Sequence, residues 1–229
     1  MSKRNFVLVM GLALALVLTA GGLLASNMGF KITYTLNGAG SGGWVSGENT
    51  LALPFLPQLG IIDASTLQGD VSTDCGLAAT SILVQRFEPT LGIRQTWFGG
   101  KVGGTNFVIP NGCECYFVQM PAAAACSYVA VGSHDPARQC TFNGAGVAGF
   151  IVGENPYGVP YHATATNASD LRTQTGNPSS VQRYEPTLGI RETWFGAKIG
   201  GTNFPIAPGE CYFIQMGAGT TTTITPEHF

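Results

Sequence analysis

Three histidines, six cysteines and thirteen acidic residues are the groups in this 229-residue chain that could carry chemistry. His134, His162 and His228 stand apart, with no His-Glu-x-x-His motif and no i, i+4 pair, so they do not make a zinc set. No Gly-x-Ser-x-Gly elbow presents a serine, and no cysteine has a histidine placed to make a thiolate nucleophile. The run from Gly99 to Thr105 has the glycines of a phosphate-cradling loop, but it lacks the loop's spacing and a following helix. Three glutamate pairs, Glu48/Glu154, Glu88/Glu185 and Glu114/Glu210, recur at matching places. Paired carboxylates about 5–10 Å apart can hydrolyse glycosides. Arg86 and Arg183, however, stand two positions before Glu88 and Glu185 on the same strand face, which favours ion pairs. The expectation is a protein that is not an enzyme and holds no cofactor and no metal.

Two aromatic pairs are the remaining candidates for a site. In Trp97-Phe98 and Trp194-Phe195 successive strand residues point to opposite faces, so one ring of each pair is core and the other faces outward. With Arg94 or Arg191 nearby, Trp97 and Trp194 are candidate exposed rings, able to stack on a sugar or to bury in another subunit. The alternative is that the glycine-rich segment folds over them. Asn167-Ala-Ser169 matches a glycosylation sequon.

These residues recur because the chain is duplicated. Val84–Phe107 returns as Val181–Phe204, differing only at Phe87/Tyr184, Gln95/Glu192, Gly100/Ala197 and Val102/Ile199. Leu36-Asn-Gly-Ala-Gly40 and Phe142-Asn-Gly-Ala-Gly146, then Gly47-Glu-Asn49 and Gly153-Glu-Asn155, keep the same order, so a whole module is repeated. The modules fall at residues 27–132 and 133–229.

The local signals are those of strands. Phe30, Ile32, Tyr34 and Leu36 alternate with polar residues in a half-buried strand. Pro89-Thr-Leu-Gly92 and Pro186-Thr-Leu-Gly189 turn hairpins. Tyr116, Val118 and Met120, and likewise Tyr212, Ile214 and Met216, line a core face, with closing strands at 128–131 and 220–225. Helix is confined to single turns at 63–67 and 168–171, capped by Asp63 and Asn167. The fold class is therefore all-β, two tandem homologous β-sandwich modules.

Residues 1–26 carry a Lys3-Arg4 head, an apolar run from Phe6 to Leu18 and small residues ending at Ala20 or Ala25, the layout of a signal peptide. An uncleaved membrane anchor is the alternative, because Phe6 to Ala25 is about long enough to span a bilayer. Export makes Cys75, Cys113, Cys115, Cys126, Cys140 and Cys211 disulfide candidates. Four lie in the first module and two in the second, which suits bonds within modules; Cys126–Cys140 across the junction is the rival. No Cys-x-x-Cys marks a ribbon or redox site.

A net charge of −2 excludes an electrostatic case for nucleic acid. Only 10% of residues are charged, against about 25% in ordinary domains, so little repulsion keeps copies apart. The succession of a Gly-aromatic opening strand, Ala-Ser-x-Leu, Val-x-Arg-[Phe/Tyr]-Glu and Pro-Gly-Glu-x-Tyr-Phe resembles the repeated β-sandwich modules of secreted and cell-surface bacterial proteins. Ala25-Ser-Asn-Met-Gly-Phe-Lys31 and Val131-Gly-Ser-His-Asp-Pro136 are similar to the same group. The resemblance implies architecture and no catalytic residue. The expected function is an exported structural protein, a homo-oligomer or polymer, in which Phe30, Ile32, Tyr34 and Leu36 complete a neighbour's sheet. A carbohydrate-binding or adhesive module using Trp97 and Trp194 is the alternative. Any membrane contact would run through residues 1–26 alone.

Overall fold

The computed structural model describes residues 30–53, 56–57, 60–100, 102–110, 112–133, 137–161 and 163–226. Residues 1–26, expected to be a signal peptide or membrane anchor, and the three histidines lie outside these residues.

Two five-stranded antiparallel sheets carry the architecture, one per module, and their strand orders match. In the first module β2 (Glu48–Ala52), β7 (Cys115–Gln119), β4 (Leu83–Glu88), β5 (Ile93–Gly99) and β6 (Gly103–Gly104) lie side by side in that order. In the second the order is β10 (Glu154–Gly158), β14 (Cys211–Gln215), β11 (Ser180–Glu185), β12 (Ile190–Gly196) and β13 (Gly200–Gly201). A small sheet covers each: β1 (Phe30–Asn37), β8 (Ala125–Ser133) and β3 (Leu56–Pro57) in the first module, β15 (Thr221–Ile224) and β9 (Cys140–Asn143) in the second. The all-β, two-module fold is the one the alternation implies. The last strand of the first module runs through Ser133, and the second module's first strand begins at Cys140.

Each module has its own core. Leu51, Val84, Tyr116 and Val118 from the large sheet meet Leu36, Tyr128 and Ala130 from the small one, with Leu67 and Val71 closing the edge. Tyr157, Val181, Tyr212 and Ile214 repeat this against Phe142 and Leu171. The helical segments are longer than single turns. Helix α1 spans Ala64–Cys75 and α2 spans Ala168–Gln174. Asp63 caps α1 by accepting from the Thr66 amide at 2.8 Å, and Thr66 returns the bond to the Asp63 amide. These bonds hold the Asp63 carboxyl below its usual pKa. Ala64, Leu67 and Val71 then repeat at helical spacing into the core, and Cys75 is tied to Cys126, so tertiary contacts extend a helix that local propensity only starts.

A buried asparagine joins the two sheets of each module. Asn49 Oδ1 accepts from the Asn37 amide, while Nδ2 donates to the carbonyls of Asn37, Gly47 and Val118. Asn155 makes the same four bonds, to Asn143 N and O, Gly153 O and Ile214 O. One side chain thus satisfies backbone groups from three segments that would otherwise be orphaned in the interior. Replacing Asn49 by Ala should lower unfolding free energy by about 3 kcal/mol or more, because several buried groups lose partners at once. Urea titration of the variant against wild type measures this, and the Asn155→Ala variant should behave alike.

Candidate functional site

The cross-module junction brings together residues far apart in sequence. Cys115 and Phe117 project from β7 away from the first module's core, and Cys211 and Phe213 project from β14 away from the second's. The two Phe rings stack with centroids 5.7 Å apart, and Cys115 is bonded to Cys211. With Ala52 they form a third buried cluster. The Ala52 amide donates to Gly209 O, and the Gly158 amide donates to Cys113 O. Val45 N donates to Pro186 O, and Ile151 N to Pro89 O. Every contact in these pairs maps onto the other under exchange of modules, so the chain is a pseudo-two-fold dimer of its own halves.

The disulfide expectation is corrected here. Cys75–Cys126 lies within the first module, but Cys113–Cys140 and Cys115–Cys211 both cross the junction, and Cys126–Cys140 does not form. Even counts per module left the pairing open; the pseudo-two-fold axis decides it by placing equivalent residues Cys115 and Cys211 face to face, with Cα atoms 5.5 Å apart. Three disulfides fit an oxidising, extracytoplasmic environment. Among the described residues no helix is long and apolar enough to cross a membrane.

The tryptophan expectation is corrected as well. Trp97 and Trp194 turn inward and pack against the cores of their modules, while Phe98 and Phe195 are the outward rings. Trp97 Nε1 donates to Gln68 Oε1 on α1, and Gln68 Nε2 donates to Ile82 O. In the second copy Arg172 occupies the place of Gln68 and has no acceptor to offer, and Trp194 Nε1 is buried without a partner among the described residues. Which strand face each ring takes follows from the hairpin register, which pairs Val84 with Trp97 and Val181 with Trp194, both valines being core residues.

The strand proposed for exchange sits in its own module. β1 pairs with β8 from Phe30↔Gly132 to Asn37↔Ala125. Tyr34 and Leu36 are buried and Ile32 packs against the same core; the Phe30 side chain is outside the described residues. Tyr34 and Leu36 are therefore core residues of their own module, and Ile32 packs against that core.

Four of the six repeated glutamates are taken up by arginines, Glu88 and Glu185 as the spacing implies, while Glu210 accepts from the Tyr212 hydroxyl. Arg86 bonds Glu88 at 2.8 Å, and Arg183 bonds both Glu185 and Glu192. Arg94 bonds Glu48 while lying 3.8 Å from the centre of the Phe117 ring, and Arg191 does the same with Glu154 and Phe213 at 4.0 Å. Each of these last arginines seals one edge of the junction by stacking on its central aromatic. At Glu114 burial raises the carboxyl pKa, partly offset by Arg86. Burial likewise raises the phenols of Tyr34, Tyr116, Tyr128, Tyr157 and Tyr212. Such tyrosines remain neutral packing groups. Asn167 of the sequon is the cap of α2, bonded to the Asp170 amide, so its side chain is engaged in structure. The two α2-capping bonds from Thr166 hold Asp170 below the usual carboxyl range. Among the described residues no group of three or more His, Cys, Asp or Glu converges as a metal set.

What remains outward is apolar and duplicated. Leu91/Leu188, Ile93/Ile190, Val45/Ile151, Phe98/Phe195 and Val102/Ile199 are all exposed, the last four residues at 39%, 44%, 69% and 77%. Comparison with protein-family models, curated proteins and solved structures finds no match. The reading of function accordingly rests on this geometry.

Two outcomes follow. Arg172→Gln should supply the acceptor that Trp194 lacks and raise stability by about 1 kcal/mol, read as an increased melting temperature. At the junction a Cβ on Gly158 would come 2.6 Å from the Ala52 Cβ, so only one of these equivalent positions accommodates a methyl. Gly158→Ala should cost about 1–3 kcal/mol, and the exchanged pair Ala52→Gly with Gly158→Ala should recover most of it in a double-mutant cycle.

Proposed function

We propose that this chain is an exported structural protein of the cell surface or its surroundings, which self-associates through outward patches repeated on its two modules. The observation that carries the reading is the retention in both copies of Phe98/Phe195 and Val102/Ile199, each pair on the β5–β6 or β12–β13 hairpin and turned to solvent. A lone exposed apolar residue needs no explanation, but the same set kept twice on a chain with 10% charged residues is a contact surface.

The pseudo-two-fold arrangement makes the chain bivalent. If each patch meets its like on another chain, every molecule has two neighbours, and the assembly grows as an open polymer. Cross-module disulfides suit this role, because they hold the two patches at a set angle and resist separation of the halves under load. Lending β1 to a neighbour would require breaking its pairing with β8 and emptying a core, so assembly through outward side chains is the more economical route. With Trp97 and Trp194 turned inward, an adhesive face built on those rings has lost its platform.

The test is sedimentation of the purified chain at rising concentration beside the Phe98→Lys, Phe195→Lys double variant. Wild type should shift to heavier species and form filaments under the electron microscope, the single variants should stop at dimers, and the double variant should stay monomeric with an unchanged melting temperature. A wild-type chain that is monomeric at high concentration would remove the proposal.

A further inference from the structure

The pseudo-two-fold symmetry generates two equivalent clefts where the small sheet of one module meets the hairpin of the other, and the two have diverged. One, about 310 Å³, lies between β1 and residues Arg183–Pro186 and Ala207–Cys211. Its counterpart, about 260 Å³, lies between Arg138–Phe142 and Phe87, Pro89, Pro110 and Gly112–Glu114. The counterpart is lined by Phe142 and, at the two positions that are aromatic in both clefts, by Phe87 and Phe150, and it is stapled by Cys113–Cys140. In the first cleft these become Tyr184 and Trp44, and the staple is replaced by Tyr34 against Gly209, where a Cβ would fall 2.7 Å from the tyrosine hydroxyl.

We infer that the Trp44–Tyr184 cleft binds a neutral saccharide of one or two rings. This reading is independent of the polymer proposal and uses neither Trp97 nor Trp194. Its volume is at the lower end of ligand cavities, which run from about 300 to 1,000 Å³. Half-buried Trp44 and Tyr184 present amphipathic ring faces, the surface that C–H edges of a pyranose pack against. Tyr184 is held by a 2.7 Å hydrogen bond between its hydroxyl and Ser46 Oγ, a pair that stands where the other copy has Phe87 and Val152. Thr33 and Thr35 are exposed along the β1 wall, and their hydroxyls, like Trp44 Nε1, have no partner among the described residues. They are donors and acceptors available to sugar hydroxyls.

The charges argue against the other ligand classes. Arg183 is committed to Glu185 and Glu192, so the cleft has no spare cation for a phosphate or carboxylate. Glu185 accepts from Arg183 and Thr187, and Glu210 accepts from Tyr212, so the carboxylates are engaged and do not form an open cage for an organic cation.

Isothermal titration of the full chain with cellobiose, maltose, chitobiose and lactose, beside choline chloride and inorganic phosphate, tests the inference. At least one disaccharide should bind with millimolar affinity, weakened about tenfold or more by Trp44→Ala. Thr33→Arg, an exposed change that fills the cleft mouth without touching a core, should do the same, and Phe150→Ala in the counterpart should leave the affinity unchanged. No disaccharide bound at about 10 mM, equal binding by Trp44→Ala and Thr33→Arg, or a preference for choline or phosphate would each overturn it.

Discussion

The contact between Phe117 and Phe213, locked by the adjacent Cys115–Cys211 bond, is the constraint around which the molecule is arranged. It turns two sheets that would each expose an apolar face into a single buried layer. It also fixes everything that is shared between modules: the reciprocal amide bonds of Ala52 and Gly158, the arginines stacked over the two phenylalanines, and the approach of each hairpin to the other module's loop. Burying an aromatic pair supplies several kcal/mol by area alone, and a covalent link over 96 residues removes much of the freedom of the separated halves. The consequence is one rigid double unit instead of two beads on a string.

Duplication explains why the surface looks as it does. Positions facing the two cores and the axis are fixed by packing, so their repetition carries no functional message. The outward residues have no such reason to recur, yet Leu91, Ile93, Phe98 and Val102 have apolar equivalents in the second module. In the proposed assembly, few charges around these side chains would lower the cost of bringing two chains together. The same register that turns Trp97 and Trp194 inward is what turns the phenylalanines out.

At the clefts, the differences between the copies are paired. Tyr184 and Ser46 replace Phe87 and Val152 together, so a hydroxyl gained on one side of a contact is met by a hydroxyl on the other. Tyr34 with Gly209 takes the place of Cys140 with Cys113, a ring filling the volume that a disulfide occupies across the axis. Arg172 in place of Gln68 is an uncompensated change, and it leaves the Trp194 indole nitrogen unpaired among the described residues. Paired substitutions at the clefts and an unpaired one beneath the helix are what is expected if the clefts were reshaped as units, whereas the buried indole simply lost its acceptor.

Much of this was legible in the residues alone. The near-identical phrases, the period-two alternation of β1, the Pro-Thr-Leu-Gly turns and the Arg-x-Glu pairs are local patterns, and local patterns determine strands, hairpins, two modules and same-face ion pairs. The unbroken apolar run Cys-Tyr-Phe-Val at 115–118, repeated as Cys-Tyr-Phe-Ile at 211–214, also carried the signal of a strand buried on both faces. What covers the second face, which cysteines meet, how far α1 extends and whether Trp97 or Phe98 points inward were decided only by tertiary structure. Each depends on the placement of residues tens of positions apart. A strand's periodicity specifies that its neighbours alternate between faces, but only the packing of one sheet against another specifies which face is inside.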